Sequence, residues 1–225
     1  MSLEPRLHQR KSLRLKGYNY ASPGSYFVTV CTFQRRCILG TVRNAEMVLS
    51  DIGRIADADW RAIPDHSPNV ILGAFQIMPN HLHAIVTIKD QVPPGSVVPP
   101  VSGASRQMYH KREFGRPIAA SLSSIVGAYK SGVTVKVQKA GLMNDGSPWQ
   151  SRFYDHVIRS DVGFFMLEQY IRLNPVMWEY DVDNPNGTSV SMEDFKRILT
   201  EKYGITGMAL YMIVNSKKMN GVNIV

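Results

Sequence analysis

Two histidines, His81 and His83, stand two residues apart in a stretch of aliphatic residues. Residues i and i+2 of a strand point to the same face, so both imidazoles should share one side of a sheet while Leu82 points to the other. Two neighbouring imidazoles can hold one divalent metal ion, and they are also compatible with a polar patch on a half-exposed strand. Neither cysteine lies near them, and no spacing marks an Asp or Glu as a further ligand. Oxygen ligands would favour Mg²⁺ or Mn²⁺ over zinc.

A second pair of polar residues, Tyr170 and Asn174, lies on a predicted late helix. Residues four apart share a helical face, so a phenol and an amide would lie beside one metal ion if that face meets the histidines. A phenol is a weak nucleophile at neutral pH because its pKa is about 10, and a metal ion would help by polarising a phosphate under attack. The alternatives are a packing role for Tyr170, one of ten tyrosines, and a helix-end role for Asn174 just before Pro175.

Strands and helices must position these residues, and their predicted order indicates the fold. Strands are predicted at 26–34, 69–77 and 82–88, with a fourth within 149–159, and helices at 46–63, 117–130, 162–174 and 191–203. Pro175 is expected to end the third helix, Ser191 and Asp194 have the spacing of a capping box, and 208–214 reads as a strand or core tail. The order predicts an α+β, ferredoxin-like antiparallel sheet packed with helices, plus a late helix carrying Tyr170.

Composition narrows the class of protein. The 225 residues suggest one large domain or one domain with an appendage, and 44% hydrophobic with 20% charged residues excludes a wholly disordered chain. Two cysteines cannot form a disulfide framework, no apolar run approaches the ~20 residues of a membrane span, and the charged first residues do not resemble a signal peptide. A reducing cytoplasm is therefore expected.

The chain is basic. It has 26 Lys and Arg against 18 Asp and Glu, a formal net charge of +8. This surplus favours a polyanionic partner, either nucleic acid or an anionic membrane surface, although a basic enzyme of unrelated function has the same composition. The stretch 91–105 contains four prolines and no charge, and with the basic residues up to 116 it is predicted to be a flexible insertion.

Several motifs together resemble a known family. The string MPNHLHAIV (78–86), followed by YIRLNP (170–175), resembles the HUH single-tyrosine transposases, and more closely the REP-associated tyrosine transposases. The segments 10–40, 121–134 and 149–160 also resemble that family's pattern. The resemblance spans about residues 10–185. We take residues 1–185 as the transposase domain, with 91–116 as its insertion, and the role of the C-terminal helix and tail, 186–225, is left unknown.

The resemblance implies a reaction and its residues. Tyr170 would attack a phosphate of single-stranded DNA, forming a 5′-phosphotyrosine and releasing a 3′-OH, while His81, His83 and Asn174 would hold Mg²⁺ or Mn²⁺. The implied partner is hairpin DNA, commonly a repetitive extragenic palindrome, rather than a membrane. The protein would act in the cytoplasm at the nucleoid, as a monomer or as a homodimer that exchanges the tyrosine helix.

Several basic residues are then candidates for contacts with DNA phosphates, although each one could equally be an ordinary solvated charge on the surface. The candidates are Lys11, Arg14, Lys16, Arg35, Arg36, Lys111, Arg112, Arg116 and Lys130. His156 and Arg159 recur in the family pattern. His156 would support the tyrosine helix or act as a general acid or base, or it would be a core histidine with a backbone partner, which we favour.

Three functions fit the sequence. The first is an active nuclease and strand transferase, and the second is a domesticated hairpin-binding protein with little turnover. The third is an RNA-binding domain whose sheet aromatics, such as Phe27 and Phe33, stack on bases. The third gives no reason for the two histidines and Tyr170. The first requires Tyr170 to lie within ~10 Å of the imidazoles, since ligands of one metal ion must be in contact range.

Overall fold

A computed structural model describes residues 18–90, 121–181 and 183–207, together with Leu210, Tyr211 and Val214. The strands are β1 (Gly24–Cys31), β2 (Gly40–Arg43), β3 (Glu46–Leu49), β4 (Val70–Met78), β5 (His81–Ile88) and β6 (Tyr154–Ile158). The helices are α1 (Asp51–Arg61), α2 (Ile63–His66), α3 (Leu122–Lys139), α4 (Asp161–Met177) and α5 (Met192–Glu201). The predicted insertion 91–116 lies outside the described residues.

Four strands form one antiparallel sheet in the order β4-β5-β1-β6. Helix α1 lies between the first and second of these strands in the chain, and α3 between the third and fourth. Apart from the small β2–β3 hairpin and the short α2, this is the β-α-β-β-α-β arrangement of a ferredoxin-like fold. The predicted α+β, ferredoxin-like class is therefore confirmed.

Both faces of the sheet are covered by helices. On one face Leu82 and its neighbours pack with α1 and α3, where the rings of Trp60 and Tyr129 meet edge to face at 4.9 Å. On the other face Phe27 packs against α4, together with Phe195 of α5. Alternation along β5 sends Leu82 to the first layer and the histidines beside it to the second. None of the described helices is long and apolar enough to cross a bilayer.

The predicted helix 46–63 is wrong over its first residues. Residues 46–49 form β3, which pairs with β2 through a turn at Asn44 and Ala45. Both turn residues have positive φ, 50° and 62°, as the tight hairpin turn that suits strand twist requires. The helix begins only after Ser50, whose side chain accepts a hydrogen bond from the Gly53 N–H. The apolar spacing of 46–49 fitted a helix as well as a strand, and the turn decided between them.

Two further helix ends differ from the prediction. Helix α3 continues to Lys139, nine residues past the predicted end at 130, because Val133 and Val137 lie four apart and are both buried in the core. Helix α4 continues through Pro175 to Met177. A proline this close to the end of a helix removes only the bond to the Ile171 carbonyl, and the buried side chains around it hold the last turn.

The C-terminal helix α5 shares a core with the tyrosine helix. Ser191 caps it by accepting a hydrogen bond from the Asp194 N–H at 3.1 Å, and Gly204 follows its end at φ 64°. Phe195 and Leu199 of α5 are buried in the same apolar cluster as Tyr170. The described residues of 208–214 have helical conformation, so the strand alternative is wrong for them. The domain boundary at 185 remains a prediction.

Candidate active site

The two histidines lie side by side at the start of β5. His81 is fully buried and His83 is 6% exposed, and their ring centroids are 4.5 Å apart. The turn at Pro79 and Asn80 joins β4 to β5 and starts the strand at His81. Both rings therefore face the layer formed by α4, as their spacing predicts.

Asn80 sets the proton position on His81. Its side-chain nitrogen donates to the backbone carbonyls of Arg35 at 3.2 Å and Asp183 at 2.6 Å. The Asn80 Oδ1 is then the atom that lies 2.8 Å from His81 Nδ1, and an amide oxygen only accepts. Nδ1 therefore carries the proton, and Nε2 keeps its lone pair. No motif marked this fully buried residue in the sequence, and its only signal was its place directly before His81.

His83 is held between a strand and a helix. Its Nδ1 lies 2.9 Å from Thr29 Oγ1 on β1, and its Nε2 lies 3.4 Å from the Tyr170 hydroxyl on α4. Phe27 stacks on the imidazole with a centroid distance of 5.2 Å. These contacts leave the ring little freedom to rotate.

Burial keeps both imidazoles neutral. Burial, and after it the nearby Arg35 charge, lowers the pKa of His81 to about 3. The pKa of His83 is also well below its ordinary value, chiefly through burial and then through His81, while Asp183 acts in the opposite direction. A neutral imidazole is the form that binds metal ions, so no proton competes for the site near neutral pH.

Helix α4 carries the other half of the site. Ser160 caps its first turn by accepting a hydrogen bond from the Gly163 N–H at 3.1 Å. Tyr170 and Asn174, four residues apart, lie on its buried face, 3% and 0% exposed. The Tyr170 and His83 ring centroids are 5.4 Å apart. The histidine pair on β5 and the Tyr170–Asn174 pair on α4, both predicted from the sequence, therefore meet within a single chain.

Two buried acceptors at this site have no hydrogen-bond partner among the described residues, His81 Nε2 and Asn174 Oδ1. Buried polar atoms are rarely left unpaired, since each unpaired atom costs about 1–3 kcal/mol. The Asn174 Nδ2 already donates to the Tyr170 carbonyl at 3.1 Å, which leaves Oδ1 for another partner. Within the described ranges no group of three or more His, Cys, Asp or Glu could hold a metal ion. Imidazole nitrogen with an amide oxygen fits Mg²⁺ or Mn²⁺.

An ion pair closes one side of the site. Arg35 and Asp183 form a salt bridge at 2.5 Å, and both side chains are partly buried. Arg35 and the preceding Gln34 have positive φ, 55° and 54°, which bends the chain directly after β1. Arg35 was predicted to contact DNA phosphate; its Nη1 is engaged by Asp183, and the contact with DNA remains a prediction. Arg36 is exposed.

The other predicted DNA contacts differ in their surroundings. Lys130 donates to the carbonyls of Gln150 at 2.5 Å and Ser151 at 3.1 Å, so its ammonium supports the segment before β6. Its role at DNA remains a prediction. The remaining candidates lie outside the described residues: Lys11, Arg14, Lys16, Lys111, Arg112 and Arg116.

His156 and Arg159 are exposed at β6 and directly after it. The favoured interpretation of His156 as a core histidine is therefore wrong, because β6 is an edge strand whose face is open at this position. The RNA-binding alternative required exposed sheet aromatics. Phe27 is only 5% exposed beneath α4, and the exposed Phe33 lies in a turn after β1.

Comparison with known proteins gives one clear relative. No protein-family model matches the chain. An uncharacterized protein of Haemophilus influenzae is 37% identical over 175 residues, covering 78% of this chain and 93% of that protein.

Solved structures show weaker likeness. A REP-associated tyrosine transposase bound to a REP hairpin is 19% identical, with a TM-score of 0.46 and 73% of each chain covered. A protein of Deinococcus radiodurans named as a candidate transposase is 16% identical, with a TM-score of 0.38, covering 71% of this chain and 95% of that one. The identity of 37% across most of both sequences shows that this chain belongs to the same family as the Haemophilus influenzae protein.

Proposed function

We propose that this chain is an HUH single-tyrosine transposase that cleaves and joins single-stranded DNA at hairpin-flanked sites. The observation that carries the proposal is the 3.4 Å distance between the Tyr170 hydroxyl and His83 Nε2, beside the unpaired acceptors of His81 and Asn174. A tyrosine packed into a core for stability alone gives no reason for three inward-facing polar groups around it. The motifs around these residues and the net charge of +8 support DNA as the substrate.

The chemistry assigned to the site is covalent catalysis. Tyr170 Oη attacks the scissile phosphorus, a phosphotyrosine bond forms at the 5′ side, and the bond to the 3′ oxygen breaks. Tyr170 Oη loses its proton as it bonds to phosphorus, and the departing 3′ oxygen takes up a proton to become the 3′-OH. Rejoining is the reverse, with a 3′-OH as the nucleophile. His81, His83 and Asn174 would hold Mg²⁺ or Mn²⁺, which when bound supplies charge to offset that of the phosphate.

Each residue around the nucleophile has a defined part in this scheme. Asn80 keeps the lone pair of His81 on Nε2, and Thr29 fixes the ring of His83 against Tyr170. Because Tyr170 meets His83 of its own chain, one protomer suffices for a complete site. We therefore propose that the protein acts without exchange of the tyrosine helix.

A second function, hairpin binding with little turnover, is favoured by one observation. Tyr170 is only 3% exposed, so a phosphate reaches its hydroxyl only if the side chains that bury it move. A protein in which they do not move would bind hairpin DNA without cutting it.

A covalent-trapping gel separates the two functions. The protein is mixed with imperfect DNA hairpins that carry single-stranded flanks of randomised sequence, with Mn²⁺ or with EDTA. Strand transfer predicts a denaturant-resistant protein–DNA band that requires Mn²⁺ and disappears in Tyr170→Phe. Tyr129→Phe is the matched control, because that hydroxyl is also buried but lies in the other core.

The outcomes are distinct. A band that survives in Tyr170→Phe would show that another residue is the nucleophile. Absence of any band, with a salt-sensitive shift on a native gel, would favour the binding protein. Absence of both would reject DNA as the substrate.

A further inference from the structure

A row of paired residues connects the candidate nucleophile to the far edge of the sheet. Thr29 on β1 pairs with His83 on β5 and, on its other side, with Tyr154 on β6. Directly paired residues of antiparallel strands have side chains on the same face. Tyr154 therefore shares the face of His83, two strands away, which corresponds to about 10 Å at the usual strand spacing.

The next row continues this surface. Phe27 pairs with Ile85 on one side and with His156 on the other, so His156 also lies on the face that carries the active site. Tyr154 and His156 are two residues apart on β6, so their side chains project from the same face of the strand. We call these two residues the β6 platform.

The β6 platform is open because helix α4 lies elsewhere on the sheet. Helix α4 packs against β4 and β5, at the opposite side from β6. Phe27 and Thr29 in the centre of the sheet are at least 90% buried, whereas Tyr154 is 46% exposed and His156 is exposed. The same face of the sheet is therefore covered at the candidate active site on β5 and open at the aromatic residues of β6, two strands away.

Two arginines flank the β6 platform along the chain. Arg152 precedes β6 and Arg159 follows it, both are exposed, and neither has an ion-pair partner among the described residues. The Asp155 side chain alternates to the opposite face of the sheet, so β6 itself presents no carboxylate on the platform side. Flat rings flanked by arginines suit a chain of bases joined by phosphates better than they suit an apolar protein partner.

We propose that the β6 platform stacks an unpaired base of the single-stranded DNA next to the phosphate that Tyr170 attacks. This inference rests on the proposed function and assigns a position to the strand at that same site. Every base has a flat π-face, so the platform contributes affinity and places the strand, with little preference for sequence. A base in duplex DNA is already stacked on both sides, so the platform selects single-stranded flanks over paired DNA.

The test measures stacking directly, in a Tyr170→Phe background so that no covalent bond forms. A hairpin oligonucleotide carries the fluorescent base 2-aminopurine at successive positions of its single-stranded flank. Protein binding should quench the fluorescence at one or two positions. Tyr154→Ala should weaken binding by about 5- to 100-fold and abolish the quenching, as expected for the loss of one stacked base.

Three further variants show whether the ring is the cause. Tyr154→Phe should restore binding and quenching, and Tyr154→Leu, which keeps an apolar side chain without a ring, should not. Phe165→Ala is the matched control, because Phe165 is an aromatic residue of similar exposure, 49%, on the outer side of α4. It should bind as the parent protein does.

Each outcome decides the proposal separately from the strand-transfer reaction. Quenching that requires Tyr154 supports the platform even if Tyr170 of the parent protein forms no covalent adduct, in which case only the reaction is rejected. An adduct formed equally well by Tyr154→Ala, with unchanged affinity, overturns the platform and keeps the reaction. Tighter binding of an RNA strand of the same sequence, or no binding of single-stranded DNA at all, also overturns it.

Discussion

Asn174 offers the sharpest test of the metal site, because its replacement by leucine should affect metal binding far more than folding. Asn174 is fully buried, its Oδ1 has no partner among the described residues, and its Nδ2 makes one hydrogen bond to the Tyr170 carbonyl. Leucine has nearly the same size. The substitution removes one hydrogen bond worth about 1 kcal/mol and one unpaired buried acceptor that costs about 1–3 kcal/mol. The metal-free variant should therefore be as stable as the parent or slightly more stable.

Metal binding should stabilise the parent protein and not the variant. At a concentration 100 times Kd, a ligand that binds only the folded state adds about 2.7 kcal/mol, which raises Tm by about 5–11 °C for a domain of this size. If the loss of one of three ligands weakens binding about 100-fold, the same concentration adds only about 0.4 kcal/mol, or a rise of about 1–2 °C.

The assay is thermal unfolding in EDTA and in increasing Mn²⁺ or Mg²⁺. Asn69→Leu is the matched control, because Asn69 also has a buried side-chain atom, Nδ2, with no partner in the described part of the chain, but lies directly before β4, away from the histidines. It should keep the full rise in Tm. An Asn174→Leu protein that keeps the full rise would show that Asn174 is no ligand, and a parent protein with no rise in either metal would refute the metal site.

Two other predictions concern the histidines. Burial holds the folded-state pKa values of His81 (about 3) and His83 below the unfolded value near 6.5. The unfolded state therefore binds more protons below pH 6.5. In EDTA, the free energy of unfolding should fall as the pH drops from about 6.5 toward 3. The loss should approach about 1.4 kcal/mol per pH unit for each histidine in denaturant titrations. His83→Gln should reduce this slope, and an unchanged slope would contradict the role of burial at His83. Thr29→Val removes the hydroxyl that orients His83 and should weaken metal affinity by about 10- to 100-fold in calorimetry. Thr87→Val, which removes a similar cross-strand hydroxyl contact at the other end of β5, should leave that affinity unchanged, and equal losses in both would contradict an orienting role for Thr29.

Local patterns predicted the parts of the site that depend on nearby residues. Two histidines at a spacing of two on a strand must share a face, and Tyr170 and Asn174 at a spacing of four must share a helical face. The order of strands and helices then indicated the ferredoxin-like sheet, which places the late helix near the histidines.

At two places the local sequence pattern did not predict the secondary structure that forms. The residues of β3 carry apolar spacing that suits a helix or a strand, and only pairing with β2 across Asn44 and Ala45 made them a strand. Pro175 disfavours a helix locally, yet burial of the last turn of α4 carried the helix past it. In both places tertiary contacts outweighed the preference of the segment.

The amino-acid sequence by itself determined which residues share a face, because that depends on the geometry of one strand or one helix. Only the tertiary structure decided which distant groups meet. Asn80 orients His81 because its amide reaches carbonyls 45 and 103 residues away, and Asp183 occupies Arg35 from 148 residues away. The β6 platform is open because α4 packs over β4 and β5 on the same face of the sheet and does not extend to β6. Such contacts depend on the path of the whole chain, which no short spacing encodes.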